Sequence, residues 1–488
     1  MSDGGGRKIL GPINRVEGDL EVRLEVERRQ VTRAWVNSPL FRGFEKILQG
    51  KAPADALVYT PRICGICSVS QSIAAAAALA QLQGIAPTEN GQLATNLTLA
   101  CENLADHLSH FYLFFMPDFA RAGYADQPWY SQQAPRFRAQ TGAAGNQVLP
   151  ARAAFLQLTG LLAGKWPHSL SLQPGGTSKP LNRSEQLRLQ AMIGKFRRFL
   201  EQTLFGDQLE NVNTLASIKQ LQQWQSQHPH SDFGRFLAIA DALQLDQLGR
   251  AADRFMSYGA YTLRQGWLFR RGCVTLEEGH AVYAKLDERS ITEDIASSWL
   301  AGERCPLHPY RGRTEPDAEQ SGYSWCKAPR LDGRSVEVGA LARQVVNGHP
   351  LALDLVAQSG ASVYSRVIGR LLELALVVPE MENWCAELDP QQPYCRHGVA
   401  PDSGRGAGMV EAARGSLGHW LQVEGGRISN YQIIAPTTWN FSPRDGGDQP
   451  GALEQALEGA PVAGDIEEAL AVQHIIRSFD PCMVCTVH

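Results

Sequence analysis

Apolar and charged positions alternate strictly through Leu20, Val22, Leu24 and Val26. That period of two predicts a half-buried β-strand, and residues 31–36 repeat the pattern closely enough to return as its hairpin partner. Beyond Cys67 the pattern becomes an alanine-rich helix ending at about Leu82. From Leu93 the apolar positions fall at helical spacing, through Leu97, Ala100, Leu104, Leu108, Phe111 and Phe115, which predicts a long core helix. Leu189, Met192, Ile193, Phe196 and Leu200 predict another, with Ser184 as its cap, and a third is expected over residues 363–378. Irregular stretches are expected near 124–151, 305–334, 388–405 and 442–451, and residues 1–7 read as a loose Gly-rich start. No repeat or low-complexity tract divides the chain. Residues 1–488 therefore read as one domain, α+β but mainly α, a bundle of long helices with small sheet elements at its margins.

Composition narrows this picture only a little. A chain of 488 residues, 44% hydrophobic and 20% charged, is ordinary globular material with enough apolar surface for a large core. The net charge of −4 points to neither nucleic acid nor an anionic membrane surface. The apolar run at 73–80 is mostly alanine and too short to span a bilayer, and no charged-then-apolar leader opens the sequence. Ten cysteines are present, and six of them (Cys101, Cys273, Cys305, Cys326, Cys385, Cys395) stand alone rather than as a disulfide framework. That usage fits a reducing compartment, so the expected location is cytoplasmic.

The other four cysteines form two Cys-x-x-Cys pairs at opposite ends, Cys64 with Cys67 and Cys482 with Cys485, and 418 positions separate the first members. Two i, i+3 thiolate pairs can enclose a soft transition metal. Spacing alone leaves three readings open: two unrelated buried thiol pairs, a structural four-cysteine zinc site, or a redox site joining the chain's ends. Among them, zinc is the commoner four-cysteine metal, but its ligands usually lie closer together in sequence. No separate iron–sulfur cluster motif is present, so electrons would leave through another subunit.

The flanking residues carry more. Arg62-Ile63-Cys64-Gly65-Ile66-Cys67 and Asp480-Pro481-Cys482-Met483-Val484-Cys485-Thr486-Val487-His488 are accompanied, in order, by several further blocks. These are Arg15-Val16-Glu17-Gly18, Arg42-Gly43-Phe44-Glu45, Asp106-His107-Leu108-Ser109-His110, Pro167-His168, Arg414-Gly415 with His419-Trp420, and Pro436-Thr437-Thr438-Trp439-Asn440. Together they closely resemble the large subunit of nickel–iron hydrogenases over nearly the whole chain. The resemblance implies that Cys64 and Cys482 bind nickel terminally, while Cys67 and Cys485 bridge it to an iron carrying carbon monoxide and two cyanides. Dihydrogen would be split heterolytically there. Glu17 matches the family's proton gate beside a bridging thiolate. Arg414 lies over the open metal position by the same resemblance, with Asp106 and Asp480 as its carboxylate partners, and is a second candidate for the base. Thr437 or Thr438 would donate to a cyanide. Glu45 and His488 would hold magnesium or a similar cation, with a backbone carbonyl near Ile433 or Ile434. An iron–sulfur small subunit and maturation proteins are the implied partners.

Some positions depart from that pattern. Gln71 stands where a histidine is usual, Asp19 likewise, and Ala413 replaces a proline. Gln71 cannot carry a proton near neutral pH but can still hydrogen-bond a cysteine sulfur. Ile66 and Phe114 are larger than the usual valine and leucine, so a gas channel lined by them would be narrowed against oxygen. The sequence begins with Met1 and stops at His488, without the extension most family precursors carry. These features resemble the hydrogen-sensing subgroup. They imply slow turnover, oxygen tolerance and signalling through a histidine kinase, with an energy-conserving uptake enzyme as the alternative.

Overall fold

The computed structural model describes residues 6–462 and 469–486. Strands β1 (Gly6–Leu10), β2 (Glu21–Glu27) and β3 (Gln30–Asn37) form an antiparallel meander in that order, with Val22 opposite Val36 and Leu24 opposite Ala34. Its inner face buries Val22, Leu24, Ala34 and Val36, as the alternation requires.

The helices follow the predicted order with some differences at their ends. The alanine-rich segment forms α1 (Ser68–Gln83), and α2 spans Glu89–Ser109 before continuing as a π-helical turn, His110–Phe115. Helix α3 (Ala143–Ala163), together with a short helix at Tyr130–Phe137, occupies much of the stretch expected to be irregular at 124–151. Helix α4 (Arg183–Phe199) is capped by Asn182 rather than Ser184. The Asn182 side chain accepts from the Glu185 amide, and the Glu185 carboxylate accepts from the Asn182 amide. Helix α5 (Val363–Glu387) runs well past residue 378, through Pro379. Buried faces of α2, α3, α4 and α5 share one continuous hydrophobic core. Among the described residues, no helix is long and apolar enough to cross a membrane.

A second antiparallel sheet, β4 (Gly404–Ala412), β5 (Gly415–Glu424) and β6 (Arg427–Ile434), lies against α1. Close approach is possible because both surfaces are small. A Cβ at Gly408 would sit 1.9 Å from the Ala74 carbonyl oxygen, and one at Gly406 would sit 2.1 Å from that of Ala78. Alanines on the helix and glycines on the strand therefore need each other. This contact sets the turn between β4 and β5, which carries Arg414, beside the start of α1, which follows Cys67.

Candidate metal centre

The chain's two ends meet by main-chain pairing. The Glu17 amide donates to the Pro481 carbonyl (3.3 Å), and the Met483 amide donates to the Glu17 carbonyl (2.7 Å). Gly18, at φ +79°, lets the chain pass close over Val484; a Cβ there would lie 3.0 Å from a Val484 methyl group. The Cys482 amide donates to the Thr437 hydroxyl (3.2 Å), and Arg42 donates to the carbonyls of Ile63 and Val484, bridging the two cysteine segments.

This framework gathers the four cysteines. Their sulfurs all lie within 4.8 Å of one another, with Cys64–Cys482 at 3.5 Å, Cys67–Cys485 at 3.2 Å and Cys482–Cys485 at 3.1 Å. All four are buried. Hydrogen bonds from Cys482, Cys485 and Cys67 hold the Cys64 thiol well below its ordinary range, whereas those shared with Cys482 push Cys67 and Cys485 well up. Four thiolates this close cannot coexist without a cation, and a soft divalent metal supplies one. The donor set fits a nickel–iron group. So does the Gln71 amide nitrogen, which is buried near the start of α1 without a hydrogen-bond partner among the described residues.

Arg414 stands at the centre of a buried charge cluster. Its Nη1 lies 2.7 Å from Asp106 Oδ2, its Nη2 lies 3.1 Å from Asp480 Oδ1, and its Nε donates to the Asp480 carbonyl (2.8 Å). Burial works against the guanidinium, but Asp106 and Asp480 outweigh it and raise its affinity for the proton further. Arg414 is accordingly held as a cation, a poor starting point for a base. Glu17 differs: burial and then the Cys64 sulfur push its carboxyl up, against a smaller pull from Arg414.

Glu45 is buried on the short helix Phe44–Leu48, where it accepts from the Ile433 amide (2.7 Å) and from the Thr314 hydroxyl. Lys327 lies 3.3 Å from Glu45 and 3.6 Å from Glu293, and sequence reasoning singled out neither Lys327 nor Glu293. Glu45, Glu293, Thr438 and Thr486 line a cavity of about 10 Å³. Two carboxylates suit a hard cation, although Lys327 already places positive charge between them. His488, the other expected ligand, lies outside the described residues. The Thr438 hydroxyl accepts from the Ala435 amide at the start of a short helix (3.2 Å). Ile66 and Phe114 are half-buried, the first packed on the main core, the second with its carbonyl accepting from Arg15.

Sequence reasoning also missed Glu102 and the Arg343–Glu373–Glu411 group, all buried and all tied to elements of the site. Their only signal was a charge on a core-facing helix or strand position.

A buried four-thiolate pocket built from segments near both ends of the chain defines a soft-metal-binding protein. More particularly, the chain belongs to the nickel-dependent hydrogenase family, whose model matches residues 42–127 and 121–488. It is 28% identical to the Hydrogenase-2 large chain of Escherichia coli (strain K12), over 99% of this chain and 97% of that one. Identity is 27% to the periplasmic NiFeSe hydrogenase large subunit of Desulfomicrobium baculatum, covering 100% and 96%. It is 25% to the uptake hydrogenase large subunit of Rubrivivax gelatinosus, again covering 100% and 96%. The fold superimposes on the Ni-Fe-Se hydrogenase of D. vulgaris Hildenborough in its as-isolated oxidized state with a TM-score of 0.84 and 29% identity, covering 99% of this chain and 100% of that one. The chain is thus a hydrogenase large subunit with the fold that the resemblance implied.

Proposed function

We propose that this chain is the active-site subunit of a hydrogen-sensing hydrogenase, and the observation that carries the catalytic part is the four-sulfur pocket with Arg414 beside it. Cys64, Cys67, Cys482 and Cys485 would hold a nickel–iron group with carbon monoxide and two cyanides. When bound, that group supplies the polarising centre at which dihydrogen is cleaved heterolytically. The protein's own residues do the rest. Arg414, fixed by two carboxylates, presents guanidinium N–H groups to anionic ligands. Glu17 receives and passes the proton, its affinity raised above that of an ordinary carboxylate by burial and the Cys64 sulfur. Glu45, with His488, would fasten magnesium beneath the C-terminal segment. Electrons would leave through an iron–sulfur small subunit, and maturation proteins would load the metals.

The sensor reading rests on Gln71, Ile66 and Phe114, and it carries with it a histidine kinase partner and a cytoplasmic location. A second reading, an energy-conserving uptake enzyme, is favoured by relatives that include an uptake hydrogenase. Hydrogen-dependent dye reduction by the purified complex, at matched nickel content before and after air, separates the two. Slow turnover unchanged by air supports the sensor; fast turnover lost in air supports uptake. Replacing Ile66 with Val and Phe114 with Leu together is expected to make the activity air-sensitive. Equal survival of both proteins in air would remove the narrowed channel from the argument.

A further inference from the structure

Arg343 is fully buried on the helix Ala340–Asn347, and all five of its N–H groups are used. Two of them reach the main chain immediately before Arg414: Nη1 donates to the Ala412 carbonyl (2.7 Å) and Nη2 to the Ala413 carbonyl (3.1 Å). The others go to carboxylates, Nε and Nη2 to Glu373 (3.0 and 2.8 Å) and Nη1 to Glu411 (2.9 Å). Glu373 in turn meets His107 Nε2 at 3.2 Å, and His107 is the neighbour of Asp106 on α2. Glu411 also accepts from the Ser416 hydroxyl (2.5 Å) and the Tyr258 amide (2.7 Å), which fixes the far side of the same turn.

The turn itself is pressed against the helix that carries Arg343. Gly415 has φ +125°, and a Cβ there would lie 2.6 Å from the Gly339 nitrogen, at the start of that helix. One buried ion pair therefore brackets another. Arg343–Glu373 grips, through Arg343, the backbone that carries Arg414 and, through Glu373, the helix that carries Asp106. Burying such a set of charges is costly, and well-packed apolar residues are often at least as stabilising. Ala413, where the resemblance expects a proline, leaves the approach to Arg414 without a ring to stiffen it.

We infer that Arg343 and Glu373 are positioning residues for hydrogen activation, holding Arg414 over the metal pocket through the 412–413 carbonyls and His107. This rests on the assignment of Arg414 to the active site. In the assembled complex at matched nickel content, Arg343→Lys keeps the charge but cannot fill five hydrogen bonds. It is expected to lower kcat about tenfold while KM for hydrogen changes little, because misplacement of a reacting group acts mainly on the chemical step. Since Arg343 acts through Arg414, Arg343→Lys is expected to add nothing in an Arg414→Lys background. Hydrogen–deuterium exchange at the amides of 411–416 is expected to speed up in Arg343→Lys, a readout that needs no turnover. Glu373→Gln, of nearly the same shape, is expected to show the same two changes and serves should Arg343→Lys not accumulate. Wild-type kcat together with unchanged exchange at 411–416 would overturn the inference, as would rate losses that multiply in the double variant. Wild-type turnover of Arg414→Lys alone would instead remove the Arg414 assignment, and the exchange measurement would still decide whether Arg343 holds the turn.

Discussion

Glu17 is placed by its backbone. Its amide and carbonyl are both engaged by residues 481–483, which sets its main chain alongside Cys482. Burial and the Cys64 sulfur then favour its protonated form. Glutamine at this position keeps the size and the main-chain pairing but removes the titrating oxygen. Glu17→Gln is expected to retain nickel and to slow deuterium–proton exchange from D2 about 100-fold, a loss typical of removing a general acid–base group. Mass spectrometry of the headspace gas checks this, and exchange at the wild-type rate would assign the relay elsewhere. By contrast the cysteines were legible from sequence at once, because their spacing and flanks form a motif. Glu102, Arg343 and Glu373 were not. A charged residue on a helix reads as solvated until the elements packed over it are known.

At the scale of elements, α1 opens directly on Cys67, which supplies no side-chain cap of its own. Glu102, on α2, does that work from outside. Its carboxylate accepts from the amides of Val69 (2.8 Å) and Ser70 (2.9 Å), the Ser70 hydroxyl (2.9 Å) and Trp166 Nε1 (3.1 Å). Burial pushes Glu102 up to about 7, against the Val69 and Ser70 amides and the Trp166 indole, which can only donate and so favour the carboxylate. Glu102→Gln turns its amide NH₂ toward a backbone N–H that can only donate, Ser70 or Val69, whichever oxygen position it takes. It is expected to cost about 2 kcal/mol, the penalty of an unsatisfied buried donor, read as a lower urea midpoint, with weaker nickel retention. Stability and nickel content equal to wild type would show that Cys67 is held without the cap. Strong periodicity made β2, β3, α1, α2 and α5 legible in advance. Helix α3 was hidden by Gly142, Gly145 and Pro150 within and before it. The β4–β6 sheet was hidden because glycine disfavours a strand, and Gly406 and Gly408 make sense only once Ala74 and Ala78 are seen to require them. Sequence patterns report local preference well and close contact between distant segments hardly at all.

For the whole molecule, the question is what keeps a chain terminus in the core. Part of the answer is independent of metal. Arg477 donates to the Asn14 side chain and carbonyl and, at 2.7 Å, to Asp118, a buried carboxylate that Arg15 also pairs with. Arg370 donates to the Ser478 carbonyl (2.6 Å). These contacts fasten residues up to about 478. Beyond them, residues 479–486 are held by the Glu17 pairing, the Arg414–Asp480 contacts, the Thr437 and Arg42 hydrogen bonds and the cysteine cluster, where four sulfurs within 4.8 Å repel one another once ionised unless a metal lies between them. Local stability should therefore change sharply near residue 478 when the metal is lost. Cys482→Ala is expected to lack nickel and to exchange the amides of 479–486 about 100-fold faster than the loaded protein, while those of α5 stay protected. Hydrogen–deuterium exchange resolved by peptide distinguishes the segments. Unchanged protection of 479–486 in the nickel-free variant would mean that ion pairs alone close the chain, and the metal would then be a guest of a preformed end rather than its fastening.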